Sequence, residues 1–317
     1  MSYNYKSKLA PHITALLEEK RSLGFSFDSQ EHILLQFDTF LIANNLDTGE
    51  LTEDIISKWE ERFPSEADST RKNRLNAVNN LAHYMQEIGL PASFCTAYGK
   101  VAHPVPYIPS EEEMILFFKH ADNIVPKGRL LERFCIEYPM MFRMYFLCGM
   151  RRSEVLSLKR DAVDLEKGCL CIRHSKGDKD RYVYVSEDFR QLLIRYNTKM
   201  NCFLPEREWF FPGLEDGKAF SEGAIEKRFR KLWASCFPDW TGKRPTIHSL
   251  RHAFVVERIN RWAKEGSDFK VMMPVLSKYL GHTNINETYY YYHLNNPREE
   301  SIRTQLDSCS ISGEIEL

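Results

Sequence analysis

Residues 168–186 read GCLCIRHSKGDKDRYVYVS, and their interpretation decides the fold class. Two β-rich runs, GCLCIRHS and DRYVYVS, flank the polar tetrad KGDK. That pattern predicts an antiparallel hairpin with Lys176 and Lys179 exposed at its tip. The chain downstream has a helical period, with helices expected near 187–200, 221–236, 246–262 and 268–280. A small sheet set among helices makes this part of the chain mixed α+β and mainly helical.

Upstream the pattern is helical throughout. In SQEHILLQFDTFLIANN, residues Ile33, Leu34, Phe37, Phe40 and Leu41 recur at helical spacing. Thr52 is placed to N-cap a helix carrying Ile55, Ile56 and Trp59. A third helix carries Leu75, Val78, Leu81 and Met85 on one face and stops at Gly89. Arg71, Lys72 and Arg74 lie in its first turns, where they form a wet face or touch a phosphate backbone. Pro91, Pro104, Pro106 and Pro109 then bar helix and predict an extended connector. Ser110 and Glu113 form a capping box that opens the next helix. The expected division is therefore an all-α domain over 1–103 and an α+β domain over 104–317.

Composition narrows the function classes. A chain of 317 residues with 43% hydrophobic and 27% charged residues suits a soluble two-domain protein. No run approaches the roughly 18 apolar residues of a membrane span. The N-terminus lacks an apolar core followed by small residues, so no signal peptide is expected. The eight cysteines contain no Cys-x-x-Cys pair and assemble into no four-ligand zinc set. Free, mostly buried thiols are expected, and with them a cytoplasmic location. Charge is unevenly spread. Residues 1–100 hold 10 Lys+Arg against 14 Asp+Glu, whereas 218–264 hold 11 against 4. A local basic zone of that kind is what phosphate binding requires.

Three basic pieces stand out in the second part. CGMRRSEVLSL (148–158) is a glycine turn, then Arg151, then a helix begun near Ser153. The hairpin tip supplies Lys176. TIHSLRHAF (246–254) sets His248 and Arg251 three residues apart, on one helical face. YLGHTNINETYYYYHL (279–294) adds His282 and four consecutive tyrosines. Successive helical residues turn by about 100°, so at most one or two of those tyrosines face any one site. Taken singly, each group reads as ordinary: an arginine in a surface ion pair, a solvated turn lysine, a core histidine, tyrosines packed with wet hydroxyls.

Their order and spacing resemble the tyrosine recombinases, the phage integrase family, throughout 135–295 and more loosely over the N-terminal helices. Gly149-Met150-Arg151-Arg152-Ser153-Glu154 matches the Gly-hydrophobic-Arg-x-Ser-Glu motif. Lys176 matches the hairpin lysine, His248-Ser249-Leu250-Arg251-His252 the His-x-Leu-Arg-His box, and Leu280-Gly281-His282 the Leu-Gly-His box. The family nucleophile lies nine residues after that last histidine, at Tyr291, and Tyr291-Tyr292-His293 matches Tyr-x-His. Two departures are Cys148, where a threonine often stands, and Ala162, where many members have an acid; support of Arg151 then falls to Glu154.

The resemblance implies a site-specific recombinase that cuts and rejoins DNA through a 3′-phosphotyrosyl link. Arg151 and Arg251 neutralise the phosphate, Lys176 protonates the leaving 5′-oxygen, His248 acts as general base or oxygen ligand, and His282 contacts the phosphate. Neither metal nor nucleotide cofactor is implied. The expected partner is double-stranded DNA with an inverted-repeat core site, clamped between a core-binding and a catalytic domain and held by a tetramer whose C-terminal tails pack on neighbours. Rival readings are a type IB topoisomerase, an idle DNA-binding regulator with the same fold, and a metal-dependent nuclease.

Overall fold

The computed structural model describes residues 3–25, 27–96, 105–125, 132–175, 179–214 and 217–294, with the backbone alone at 174, 175, 179 and 292–294. Lys176 and the tail from 295 lie outside the described residues, as does Cys309. The chain separates into two compact units, Met1–Pro104 and Val105–Leu317.

The first unit is built from α1 (Ala10–Ser22), α2 (Asp28–Ala43), α3 (Glu53–Glu60) and α4 (Asp68–Glu87). Thr52 caps α3 by accepting from the Ile55 amide, and Gly89 adopts a φ of 83° just beyond α4. Leu34, Phe37, Leu41, Trp59, Val78 and Leu81 make a closed apolar core. α1 escapes the sequence reading, yet it buries Ile13, Leu16 and Leu17.

Arg74 corrects the expectation that it faces DNA. The residue is 2% exposed. Its Nε and Nη2 donate to the two Glu66 carboxylate oxygens at 2.7 and 3.0 Å, and its Nη1 donates to the Trp59 carbonyl. The guanidinium also lies 4.7 Å from the Trp59 ring centroid and 4.0 Å from that of Phe63. Held on all sides, it closes the α3–α4 junction and cannot reach a phosphate. Arg71 is half-buried and donates to the Glu60 carbonyl at 2.6 Å; Lys72 is half-buried.

The second unit opens with α5 (Glu111–Asp122), started by the Ser110/Glu113 capping box, and α6 (Glu132–Cys148). A short α7 (Arg152–Leu156) and a 3-10 turn at Arg160–Ala162 lead into the sheet. Strands β2 (Cys169–Ser175) and β3 (Lys179–Tyr184) pair antiparallel as the hairpin reading expects, with Leu170 opposite Val183 and Ile172 opposite Arg181. A two-residue β1 (Val163–Asp164), not read from the sequence, completes a three-stranded antiparallel sheet in the order β1-β2-β3. Leu170, Ile172 and Val183 face the core, while Tyr182 and Tyr184 stay open to solvent.

Five helices follow: α8 (Glu187–Phe203), α9 (Glu222–Cys236), α10 (Ile247–Glu265), α11 (Phe269–Leu280) and α12 (Asn286–Leu294). Serine N-caps at 186 and 221 start α8 and α9. Phe142, Tyr145, Phe210 and Phe229 centre the main core, and a second cluster joins Phe254, Val255, Leu276 and Leu280 to Tyr291. Among the seven described cysteines all thiols are free, but only Cys95, Cys148 and Cys236 are buried, fewer than expected. No helix among the described residues is long and apolar enough to cross a membrane.

Candidate active site

Arg151 stands at the N-cap of α7 because Gly149 turns the chain sharply after α6. Gly149 has a φ of 60°, and a Cβ there would lie 2.4 Å from Cδ1 of Phe254. The position therefore demands glycine both for its backbone and for the close approach of α10. Glu154 accepts from the Arg151 amide at 2.8 Å and from its Nη1 at 3.0 Å, so the carboxylate grips both ends of the residue. Arg151 Nη2 donates to the Gly281 carbonyl.

Arg251 enters from the first turns of α10 and is 2% exposed. Its Nη1 donates to the Gly149 carbonyl at 2.6 Å and its Nη2 to the Leu280 carbonyl at 3.0 Å. Burial lowers its pKa to about 10, partly offset by Tyr291, so it stays cationic at neutral pH. Arg181 of β3 was not singled out from the sequence. It places both Nη atoms on Glu154, at 2.7 and 2.8 Å, and its Nε on the Tyr279 carbonyl at 2.7 Å. A signal existed: Arg181 shares strand parity with the buried Val183, so it is a cation on an inward face.

Burial alone would raise the Glu154 pKa, but Arg181 and then Arg151 hold it at about 2. Among the described residues Glu154 thus binds two guanidiniums with a third beside them, donors whose fork geometry suits an oxygen-rich anion.

Gly281 ends α11 with a φ of 66°, and the following His282 amide donates back to the Ser277 carbonyl at 3.0 Å. This cap turns His282 into the site. Its Nε2 lies 3.0 Å from Arg251 Nη2, and its Nδ1 lies 2.7 Å from Thr288 Oγ1. A guanidinium only donates, so Nε2 accepts, the ring is the Nδ1–H tautomer, and Thr288 receives that proton's hydrogen bond. Thr288 is fully buried and three residues before Tyr291 on α12, hence on the same helical face.

Tyr291 is 4% exposed. Its ring stacks on His282 at 6.2 Å and 5°, and meets His252 at 5.2 Å. Burial raises its phenol pKa, and the adjacent Arg251 pulls it back down. Tyr289 and Tyr290 are half-buried beside it, with Tyr290 edge-on at 5.9 Å. His248 and His252 form a T-shaped pair at 4.4 Å. Crowding, then Arg251 and Arg151, push the His248 pKa down to about 4. One side of the residue stays open to solvent, and the imidazole is neutral at pH 7. His252 is pushed down to about 3 by burial and by His248, and its Nδ1 is buried without a hydrogen-bond partner.

Arg151, His248, Arg251, His282 and Tyr291 thus converge, from the N-cap of α7, from α10, from the turn after α11 and from α12, through direct contacts or shared neighbours. Lys176 lies outside the described residues, and Arg71, Lys72 and Arg74 belong to the other compact unit.

Residues 121–298 match the model of the phage integrase family. The match spans more than half of the chain, and the chain belongs to that family. It is 26% identical over 286 residues to y4rB of Sinorhizobium fredii, named as an integrase/recombinase, covering 87% of this chain and 89% of that one. It is 26% identical over 198 residues to the tyrosine recombinase XerA of Thermococcus kodakarensis, covering 61% and 60%. The fold is similar to that of the XerH site-specific recombinase bound to its palindromic difH substrate, with a TM-score of 0.63 at 18% identity, over 94% of this chain and 83% of that one.

Proposed function

We propose that this protein is a site-specific DNA recombinase that breaks and rejoins DNA through a covalent link to Tyr291. The observation that carries the reading is the buried Tyr291 phenol beside Arg251 and stacked on His282, within a cluster of guanidiniums. Arg151 and Arg251 bind the nonbridging oxygens of a phosphodiester, where charge grows in the transition state. The Tyr291 oxygen attacks phosphorus and the bond to the 5′-oxygen breaks. His248, neutral at pH 7, accepts the phenol proton, Lys176 gives a proton to the departing 5′-oxygen, which leaves as a hydroxyl, and His282 touches the phosphate. The phosphotyrosyl ester keeps the bond energy, so a partner strand's 5′-hydroxyl reverses the step and completes the exchange.

The expected substrate is a duplex with an inverted-repeat core site, bound by a tetramer; the palindromic substrate of XerH supports the symmetry. The helical first unit serves as the core-binding domain, with Lys72, and Arg71 beside it, on the phosphate backbone. A cytoplasmic location fits this substrate.

A nicked suicide duplex built on the inverted repeats flanking the gene tests the reading. Wild type and Phe variants at 289, 290 or 292 should give a denaturant-resistant protein–DNA band, and Tyr291→Phe none. A band that persists in Tyr291→Phe would exclude Tyr291 as the nucleophile. Relaxation of supercoils without site-dependent exchange would favour a topoisomerase, loss of cleavage in chelator a metal-dependent nuclease, and DNA binding with no adduct a regulator. Lys176→Ala should slow cleavage roughly 10²–10⁴-fold and recover on a 5′-thio leaving group, which needs no proton. Recovery of Lys179→Ala instead would move the role.

A further inference from the structure

The end of α11 holds three arginines in register. The Tyr279 carbonyl accepts from Arg181 Nε, the Leu280 carbonyl from Arg251 Nη2 and the Gly281 carbonyl from Arg151 Nη2. The last carbonyls of a helix lack intrahelical donors and form its negative pole. Three successive carbonyls thereby receive one guanidinium each, which offsets the repulsion among cations gathered at one place. Gly281 makes this possible, since a Cβ there would lie 3.0 Å from Arg151 Nη1 and 3.2 Å from Arg181 Nη1.

Two of the three arginines are also tied to one another. The Glu154 carboxylate takes Arg181 through a two-bonded fork, and the same two oxygens take the amide and Nη1 of Arg151. The Arg181 side chain is 10% exposed and that of Glu154 5%, so water contributes little to either. Glu154 can therefore face Arg151 in one orientation only while Arg181 occupies its other edge.

We propose that Arg181 is a positioning residue for DNA cleavage, setting the Arg151 guanidinium through Glu154 before any phosphate arrives. Arg181 does not itself touch the reacting atoms. It belongs to the strand that leaves the lysine hairpin, so one side chain couples β3, the Arg151 turn and the end of α11. The proposal rests on the recombinase reading given above. A misplaced catalytic group of about 1 Å costs on the order of 10²-fold in rate, and an effect of that size is expected here.

Adduct formation is measured in single turnover on the same nicked duplex, with DNA affinity and a thermal melt recorded beside it. Arg181→Met should slow the adduct roughly 10–100-fold with affinity changed less than about threefold. In an Arg151→Lys background the same substitution should add less than about twofold, because both changes act on one interaction. Arg181→Lys retains the charge but not the fork, and should fall between wild type and methionine. If Arg181→Met fails to fold, the lysine variant carries the same cycle. A wild-type rate in the folded variant, or a full slowing that persists undiminished in the Arg151→Lys background, would overturn the proposal and leave a core ion pair. Absence of any adduct from wild type would instead overturn the recombinase reading itself.

Discussion

His282 is held through both ring nitrogens, by Arg251 on one side and by Thr288 on the other. Thr288→Val keeps the shape of the side chain and removes the acceptor. The His282 Nδ1–H then loses its Thr288 acceptor, which should cost about 1–3 kcal/mol in a denaturant melt. Nitrogen-15 NMR of the His282 ring should report the Nδ1–H tautomer in both proteins, because Arg251 still donates to Nε2, with the Nδ1 resonance shifted in the variant by loss of its acceptor. Glu154 gives a pH signature at the same scale. Its folded pKa of about 2 lies below the ordinary carboxylate range, so the stability it contributes is present above about pH 4.5 and lost as pH falls toward 2. Glu154→Gln should be less stable than wild type at pH 7 and show a flatter decline between pH 4.5 and 2, read by denaturant titration at each pH.

Elements meet at this site through positions where no side chain fits. The turn from α6 to α7 brings Gly149 against Phe254 of α10, whereas Gly89 after α4 has a similar positive φ and open space around it. Gly89→Ala should therefore cost only the backbone penalty of about 1–2 kcal/mol. Gly149→Ala should cost more than that and slow adduct formation, because Arg151 follows two residues later. Phe254→Leu, by vacating the ring, should restore part of the stability in the double variant. Equal losses in calorimetry for the two glycine variants would remove the close-approach argument.

Across the whole molecule, charge and burial assign opposite roles to cations in the same turns of α4. Arg74 is sealed with Glu66 beneath Trp59 and Phe63, while Lys72 is half-buried beside it. Arg74→Ala breaks a buried pair and should destabilise the first unit by about 3–5 kcal/mol. Lys72→Ala should leave the melt unchanged, weaken binding to all DNA sequences alike and lower the salt slope by about one. A changed sequence preference would contradict the phosphate assignment.

Short-range chemistry was legible in the chain itself. Thr52 and Ser110 cap helices because a side-chain oxygen satisfies an amide three residues away. The hairpin was legible because alternation along one strand is a local property, and the ordered boxes named Arg151, His248, Arg251, His282 and Tyr291. A two-residue strand such as β1 is too short to carry a period, and Pro139 inside α6 argues locally against the helix that tertiary packing sustains. Arg74 and Lys72 read alike in the sequence; only the fold of α3 against α4 buried one of them. Arg181 took its meaning from one carbonyl 98 residues away and from Glu154, 27 residues away. Local rules thus named the chemical groups, while the packing of β3 and α7 against the end of α11 decided which cations share Glu154 and the helix-end carbonyls.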